Sequence, residues 1–392
     1  MSRLSPRVEA VGFAILSGLI SFFYNVVMIV VPLRMSDHGL PYAVVGGAMS
    51  AVSIGLIVVK LAIGHLSDLF GSRRFILTAL LGLAIAAAGL GTVENLWGYI
   101  LFMALMGVFR GIFTAVSGSY VFDLADQGGY GRVYGAVLSV NSLMASIGGM
   151  IAGALYRFGE GRLPLYLCSG LLALGLAWAW RGLSAGQSQP AAALSAWHLL
   201  KGIRPGLWVF CLLTFLQSFA IGPLWNFILP MYCYNIMGFS AAWVGVLMAA
   251  DELISTPTSL LAGQVVDRIH RLSRWNALIL VCIAVCGVCL GNASGPVPFM
   301  AAFLLCSVGI ASSYVGLPRQ RFSYINLRQK GFELALISLC GNLGDALGSQ
   351  ILGQVADRYP LSVCLAIFSG VYLVMALLAL FCRKADRPAA QE

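Results

Sequence analysis

The stretch Gly64-His65-Leu66-Ser67-Asp68-Leu69-Phe70-Gly71-Ser72-Arg73-Arg74 determines how the rest of the chain is interpreted. It separates two apolar stretches and combines glycines, one acid and two arginines. Gly64 permits close helix approach, and Gly71 permits a backbone conformation that other residues avoid. Arg73 and Arg74 would hold such a turn at a membrane surface. We therefore predict a tight turn between two membrane-spanning helices.

The composition of the whole chain is typical of a protein that lies almost entirely inside a membrane. Hydrophobic residues make up 59% of its 392 positions, charged residues make up 10%, and the mean hydropathy is +0.88. A soluble chain carries about 25% charged residues. Twelve spans of about 20 residues occupy about 240 positions, so the loops are too short for a separate soluble domain. We predict an all-α integral membrane protein of about twelve transmembrane helices.

The twelve predicted spans follow the apolar stretches. The first stretch is too long for a cleaved signal peptide and has no small-residue cleavage site, so it is the first helix. The approximate bounds are 10–33, 42–63, 74–93, 97–119, 133–156, 164–181, 206–231, 240–262, 275–292, 297–316, 332–353 and 361–382.

The second half of the chain repeats the first. Eight residues around the second span recur unchanged 199 positions later, and six residues around spans five and six recur 200 positions later. One offset kept across several helices is typical of a duplicated membrane fold. We predict two pseudo-symmetric six-helix bundles, 1–182 and 206–392, joined by a cytoplasmic linker, 183–205. The first members of the pairs are Gly39, Ala43, Val45, Gly46, Met49, Ala51, Gly64 and Asp68, then Leu143, Gly148, Ile151, Gly153, Ser169 and Gly170.

Basic residues are concentrated on one side of the predicted spans. With the N-terminus inside, 18 of the 24 Lys and Arg residues fall in cytoplasmic segments, and four fall outside. This is the positive-inside pattern, so the net charge of +9 sets the orientation and does not indicate nucleic acid. We expect both termini in the cytoplasm, and the compact loops favour a bacterial inner membrane. The four outer residues are Arg34, Arg157, Arg162 and Arg358.

The stretch 64–74 resembles the loop between helices 2 and 3 of the major facilitator superfamily, which reads G-x-L-x-D-x-x-G-R-R/K-R/K. Ser72 stands where that family usually has a basic residue, and a degenerate copy, 263–268, falls at the corresponding place in the second half. The resemblance covers essentially the whole chain and implies a transporter built from two six-helix bundles. The matching residues are Gly64, Leu66, Asp68, Gly71, Arg73 and Arg74.

In that family the acid and the basic residues of the loop form a cytoplasmic latch. The acid docks near the start of helix 11, or of helix 5 for the second copy. The resemblance thus implies a gating role, and the alternative is a turn that only sets topology. The candidate gating residues are Gly64, Asp68, Gly71, Arg73, Arg74, Gly263, Asp267 and Arg268.

The first two helices resemble the drug and sugar efflux branch of the family, through Pro32-Leu33, Gly39-Leu40-Pro41 and Val45-Gly46. This branch implies proton-coupled antiport. The antiporter motif of helix 5, Gly-Pro followed by Gly-Gly, is present only in part, as Gly148-Gly149. A standard drug/proton antiporter is therefore indicated less strongly than the family itself.

Charged residues inside the predicted spans are candidates for function, because a charge in hydrocarbon is costly. Helices 3, 6, 9 and 12 carry none before their cytoplasmic ends, which agrees with the family, where every third helix is an outer support. The candidates lie on helices 2, 4, 8 and 11, and they are Lys60, Arg110, Asp251, Glu252 and Asp345.

Arg110 lies near the middle of helix 4, flanked by Gly107 and Gly111. A permanent cation at this depth needs an acid, backbone carbonyls or an anionic substrate. Antiporters of the family carry an Arg in helix 4, but the Gln and Gly that follow it there are absent here. Arg110 is a candidate for binding an anionic solute, and a structural ion pair is the alternative.

Asp251, Glu252 and Asp345 are candidate proton carriers, because burial disfavours a charged carboxylate and so permits reversible protonation. Asp251 and Glu252 are adjacent, so their side chains diverge by about 100° and we expect only one to face the cavity. Asp345 lies on a glycine-rich helix face, at the repeat position of Ala145. The alternative is a fixed pair with Arg110.

Five further polar or aromatic residues inside the spans are candidate substrate contacts in a central cavity. For each of them the alternative is a helix–helix hydrogen bond or an interfacial ring. They are Asn25, Gln217, Trp225, Asn226 and Asn342.

The favoured function is proton-coupled export of a small organic solute by alternating access, with an anionic metabolite or siderophore as the substrate class. Proton-coupled uptake of such a solute is the alternative.

A membrane enzyme would need a His, Cys or Ser constellation at a membrane face, and the four histidines fall in predicted turns without an evident catalytic partner. We expect the partners to be the solute, protons and lipid, with no cofactor or metal, and a monomeric chain. The histidines are His38, His65, His198 and His270.

Overall fold

The computed structural model describes residues 6–70, 72–124, 130–184, 205–269, 271–322, 324–325 and 330–382. For residues 6–7, 60–70, 118–119, 122–124, 130–132, 205 and 330–332 it describes the backbone alone. The described residues are almost all helical, and they contain no β-strand.

Twelve helices follow one another along the described part of the chain, which confirms the predicted all-helical fold. The first six are α1 (Pro6–Asp37), α2 (Tyr42–Phe70), α3 (Ser72–Thr92), α4 (Leu96–Leu124), α5 (Tyr130–Leu155) and α6 (Arg162–Gly182). The others are α7 (205–236), α8 (Ala241–Arg268), α9 (Leu272–Gly291), α10 (Pro296–Phe322), α11 (Lys330–Arg358) and α12 (Leu361–Phe381).

Helix α7 changes its winding along its length. The amide N–H of Leu229 donates to the carbonyl of Leu224, five residues earlier, as in a π-helix. Pro223 and Pro230 have no amide donor, and this weakens the regular hydrogen-bond ladder. Such π-helical turns inside a helix are frequent at functional sites. The segments are α-helical Pro205–Pro223, π-helical Leu224–Ile228, α-helical Leu229–Met231 and π-helical Tyr232–Ile236.

Eleven of the twelve described helices are long and apolar enough to cross a membrane. The exception is α11, which contains Glu333, Asn342, Asp345 and Asp357 within its 29 residues. At about 1.5 Å per residue it is still longer than the hydrocarbon core of about 30 Å. Its polar residues therefore lower its hydropathy without making it too short to span.

The sequence repeat corresponds to a repeated packing pattern. Helix α1 packs against α5 as α7 packs against α11, and α3 packs against α6 as α9 packs against α12. A Cβ on Gly148 would lie 2.6 Å from the carbonyl oxygen of Phe22, and a Cβ on Gly348 would lie 2.3 Å from that of Phe219. Both copies of the repeat therefore use a glycine for the same close helix contact.

The chain divides into two compact units. The first contains Met1–Ala192 and Cys233–Glu252, and the second contains Ala193–Tyr232 and Leu253–Glu392. The start of α8 belongs with the first unit because it packs closely on α5. A Cβ on Gly245 would lie 2.4 Å from the carbonyl oxygen of Gly149. The sequence-based bundles, 1–182 and 206–392, stay a prediction.

The motif at 64–74 is more helical than the sequence predicts. The backbone of α2 continues to Phe70 and α3 begins at Ser72. A turn over the whole of 64–74 is therefore wrong, and His65 lies in a helix instead of a turn. The physical reason is that no proline interrupts α2, and residues such as Leu66 favour helix.

Candidate functional site

Arg110 lies on α4, where glycine brings α4 against α2. A Cβ on Gly107 would lie 2.1 Å from the carbonyl oxygen of Val52, so a larger residue does not fit there. The guanidinium carbon of Arg110 lies 3.7 Å from the centroid of the Tyr24 ring on α1, which is the geometry of a cation–π interaction. In the part of the first unit that the structure describes, Arg110 forms no ion pair with a carboxylate.

Stacking on Tyr24 holds the guanidinium of Arg110 without neutralising it. The side chain is half-buried, and arginine keeps its charge and its forked donors in a protein. It can therefore bind a carboxylate or a phosphate. Asn25 donates from Nδ2 to the carbonyl of Ser21 at 3.3 Å, one turn earlier on α1, and its predicted role as a substrate contact stays a prediction.

Asp251 and Glu252 lie near the middle of α8, and both side chains are half-buried. Neither lacks an interaction partner. Pro257 follows within the same helix, and because it has no amide donor it leaves the carbonyl of Leu253 without its helical hydrogen bond. The two acids thus lie one to two turns before this proline.

In the second unit, Asp345 on α11 lies against Gly222 on α7. A Cβ on Gly222 would lie 1.6 Å from Oδ1 of Asp345, so the carboxyl group fills the space that this glycine leaves. Gly222 directly precedes Pro223 and the first π-helical turn. A Cβ on Gly344 would lie only 2.2 Å from the backbone of α7, which allows α11 this close approach. A carboxyl group therefore lies beside the irregular part of α7.

Three further candidate residues lie close to this contact along α7 and α11, within the second unit. Trp225 and Asn226 lie in the first π-helical turn and are half-buried, and the Trp225 ring stacks on Phe303 with centroids 5.8 Å apart. Asn342 lies one turn before Asp345, and its buried Nδ2 has no hydrogen-bond acceptor among the described residues. An unused buried donor beside a carboxyl group is typical of a site that binds a ligand or water.

Gln217 connects two helices of the second unit. It is 7% exposed, and its Nε2 donates to Oγ of Ser313 on α10 at 3.1 Å. This contact corresponds to the helix–helix alternative for Gln217, and the predicted substrate contact stays a prediction.

The first gating motif is described only at its basic end. Arg73 donates from Nη2 to the carbonyl oxygen of Trp180 in the last turn of α6, where a cation is favourable because of the helix dipole. Arg74 is exposed. The other predicted gating residues lie outside the side chains that the structure describes, and they are Gly64, Asp68 and Gly71.

The second copy of the motif contacts the end of α10. Oδ1 of Asp267 lies 3.6 Å from Nε of Arg319, and the two side chains are 72% and 57% exposed. An exposed pair of this kind contributes at most about 1 kcal/mol. Gly263 has open space around it, and Arg268 is exposed. Docking of Asp267 near helix 5, which the resemblance implies, stays a prediction.

Arg34 is a buried charge that the sequence patterns do not single out. It is 1% exposed, and its Nη1 donates to the carbonyl of Leu90 at 2.7 Å and faces that of Gly91 at 3.4 Å. Both carbonyls belong to the last turn of α3, so Arg34 caps that helix. The one sequence signal is its position between Leu33 and Met35 at the end of an apolar run.

Glu9 is a second buried charge outside the sequence predictions. It is 7% exposed and accepts hydrogen bonds from the hydroxyl of Tyr120 and from the amide and hydroxyl of Ser184, the last two at 2.7 and 2.6 Å. It thereby links the start of α1 to the end of α4 and to the second residue after α6. Glu333, in the first turn of α11, is also fully buried. All three charges lie near the ends of their helices.

A further set of polar contacts joins α1, α2, α5 and the end of α7 within the first unit. Tyr156 donates to Oδ2 of Asp37 at 2.6 Å. Burial, reinforced by this hydrogen bond, raises the pKa of Tyr156, so it stays a donor. Asn235 donates from Nδ2 to Oγ of Ser36 at 3.0 Å and to the hydroxyl of Tyr42 at 3.3 Å. Ser36 and Asn235 are 199 positions apart, so repeat-related positions contact each other.

A duplicated set of long apolar helices with ionisable groups inside the spans defines a polytopic membrane transporter. A family model described as Major Facilitator Superfamily matches residues 13–320. The chain therefore belongs to the Major Facilitator Superfamily, and it is a multi-pass secondary transporter.

Two kinds of comparison agree with this assignment. An uncharacterized MFS-type transporter of Methanocaldococcus jannaschii is 20% identical over 352 residues, which cover 83% of this chain and 87% of the relative. A point mutant of the nucleoside transporter NupG has a similar fold, with a TM-score of 0.83, 13% identity, and coverage of 95% of this chain and 99% of that one. A bacterial homologue of the human lysosomal transporter Spinster, in an inward-facing and occupied conformation, gives a TM-score of 0.79 at 12% identity, with coverage of 98% and 97%.

Proposed function

We propose that this transporter exports a small organic anion in exchange for protons, by alternating access in a bacterial inner membrane. Both termini would be cytoplasmic and the chain monomeric. Charged groups kept inside the spans of a transporter mark its solute and ion pathway. The two groups that support the proposal most directly are Arg110 in the first unit and Asp345 in the second.

The anionic character of the solute rests on Arg110. Its guanidinium is stacked on Tyr24 at 3.7 Å and has no carboxylate partner in the described part of the first unit. Burying a cation without a counter-charge is costly. A carboxylate or phosphate on the solute would offset this cost through paired hydrogen bonds. This observation carries the proposal.

The proton coupling rests on Asp345 and the two acids of α8. Asp345 fills the gap at Gly222, where α7 begins to leave α-helical winding. Protonation removes the charge from a group packed on this irregular segment, so it favours a different local packing. The two conformations then bind a proton at Asp345 with different affinities, and coupling requires such a difference. Asp251 and Glu252 precede Pro257 in α8 and would act in the same way.

The direction of transport rests on resemblance. The first two helices carry the efflux-branch pattern around Pro32 and Gly39. The multidrug resistance protein 3 of Bacillus subtilis is 30% identical over 91 residues, which cover 22% of this chain and 18% of that protein. The putative metabolite transport protein YwtG of the same organism is 28% identical over 141 residues, which cover 36% and 27%. Both names are consistent with movement of small organic solutes.

The proposal is tested in proteoliposomes with an imposed pH gradient. A panel of carboxylated, phosphorylated, cationic and neutral solutes would be loaded inside or outside, and counter-flow would be measured. We expect an acidic solute to move against the proton flow, and Arg110→Ala to abolish this movement while leaving the unfolding temperature almost unchanged. Movement of that solute in the same direction as protons would assign symport instead. Transport of cationic or neutral solutes alone, unaffected by Arg110→Ala, would refute the role of Arg110.

A further inference from the structure

A groove runs along the outside of the first unit between α1 and α6. Its volume is about 360 Å³ and its walls are apolar. The side chains recur at helical spacing along both helices, so the groove follows the helix axes. Those that define its length are Val8, Val11, Ile15, Leu171, Leu174 and Trp178.

Two glycines shape this groove. The ring of Trp178 lies over Gly12, where a Cβ would be 1.9 Å from the ring. On the same helix as Trp178, Gly175 has no side chain to fill the floor. The residues at its rims are strongly exposed, with exposed fractions of 61% for Val11 and 69% for Leu174. On a membrane-spanning helix, such apolar exposure faces hydrocarbon.

The length of the groove matches one leaflet of a bilayer. On α1 it extends from Val8 to Leu19, and eleven residues of helix rise about 17 Å. Half of the hydrocarbon core is about 15 Å. The groove lies at the start of α1 and the end of α6, which the pattern of basic residues predicts to be the cytoplasmic side. One acyl chain of the inner leaflet therefore fits its length.

Arginines lie where the headgroup of such a lipid would be. Arg181 follows Trp178 by one helical turn, so it continues the groove-lining face of α6, and it is exposed. Arg73 donates to the carbonyl of Trp180, which brings the start of α3 to the same helix end. The next residue, Arg74, is exposed. Basic residues beside an apolar cleft on the cytoplasmic side are the arrangement that binds anionic lipid headgroups.

We propose that this groove is a binding site for an anionic glycerophospholipid of the inner leaflet. One acyl chain lies between α1 and α6, and the phosphate lies at Arg181 and Arg74. The site is separate from the groups assigned to solute and protons, so this inference does not depend on the proposed function.

The test is native mass spectrometry of the protein in a mild detergent, with equal amounts of phosphatidylglycerol and phosphatidylcholine added. We expect the wild type to retain phosphatidylglycerol preferentially. Arg181→Gln and Arg74→Gln should each weaken this retention by about fivefold, since one arginine contributes on this scale. Val11→Trp, which fills the groove, should reduce retention of both lipids, and Ile15→Trp is a second filling variant.

Matched controls exist in the second half of the chain. Leu377 is as exposed as Val11, at 61%, and Arg274, which is also exposed, lies 200 positions after Arg74. Leu377→Trp and Arg274→Gln should leave the retention unchanged. Equal retention of the two lipids by the wild type, or equal losses in test and control variants, would overturn the proposal. A dimer that dissociates on Val11→Trp without any change in lipid would assign the groove to a second copy.

Discussion

The carboxyl group of Asp345 occupies the space that a side chain at position 222 would need, because a Cβ on Gly222 would lie 1.6 Å from its Oδ1. The contact lies directly before Pro223 and the π-helical turn of α7. A change at either residue therefore acts where the hydrogen-bond ladder of α7 is already irregular.

Gly222→Ala should separate transport from stability. The added methyl group forces Oδ1 of Asp345 to move, but the end of an aspartate side chain can rotate away, so we expect the unfolding temperature to change little. Displacing a functional group by about 1 Å can cost a factor of about 100, so gradient-driven transport should fall at least about tenfold. Both quantities would be measured on the same preparation, by thermal unfolding in detergent and by uptake into proteoliposomes.

The matched control for this substitution is Gly370→Ala on α12, where a Cβ would meet nothing within 4 Å. It should affect neither quantity. In an Asp345→Ala background, Gly222→Ala should have no further effect on transport. Full transport by Gly222→Ala alone would mean that the position of the Asp345 carboxyl group is unimportant.

Tyr24→Leu should destabilise the protein more when Arg110 is present than when it is replaced. The lost ring is worth about 0.5–2 kcal/mol of cation–π attraction at a partly buried site. Tyr24→Phe keeps a ring under the guanidinium and should retain most of it. In an Arg110→Met background the cost of Tyr24→Leu should shrink to the loss of apolar packing, which a double-mutant cycle measures. Equal costs in both backgrounds would show that the 3.7 Å contact contributes no stability.

The helices and their order could be predicted from sequence because apolar stretches of membrane length have few alternatives. The duplication was equally visible, since Gly148 and Gly348 retain one offset and one packing role. The end of α2 was not predictable from the motif. Gly64 and Gly71 both indicate a turn, yet the residues between them remain helical because nothing in that interval opposes it.

The candidate site was predictable by residue type but not by partner. An ionisable residue such as Arg110 or Asp345 inside an apolar run is conspicuous, whereas its contact with Tyr24 or Gly222 depends on tertiary packing that no local pattern records. Arg34 was not singled out for the opposite reason. It lies at the end of a span, where an arginine ordinarily faces water, and its burial depends on where α3 happens to end.

Alanine at Gly245 and alanine at Gly263 should change stability in opposite directions, although both lie in α8. Alanine is normally the better helix former, by about 1 kcal/mol. Gly263 has no neighbour within 4 Å, so Gly263→Ala should raise the free energy of unfolding. At Gly245 a Cβ would lie 2.4 Å from the carbonyl oxygen of Gly149, and overpacking of this kind costs about 1–3 kcal/mol. Chemical unfolding in detergent would measure both, and stabilisation by Gly245→Ala would contradict the close contact of α5 and α8.

Arg34→Met should destabilise the protein although it removes a buried charge. Replacing a buried charge by an apolar side chain of similar size is often neutral, because desolvation of the charge is costly. Here, however, the guanidinium bonds the carbonyls of Leu90 and Gly91 at the end of α3, and methionine leaves those acceptors buried without a donor. Hydrogen bonds to a charged group contribute about 1.5–3 kcal/mol, so we expect a loss of that size in the free energy of unfolding.

Two variants serve as controls. Arg34→Lys restores one donor and should recover part of the loss. Arg162→Gln, which breaks an exposed ion pair with Glu94, should cost less than about 1 kcal/mol. If Arg34→Met were as stable as the wild type, capping of α3 would only balance the desolvation of the guanidinium, and Arg34 would need another reason to be charged.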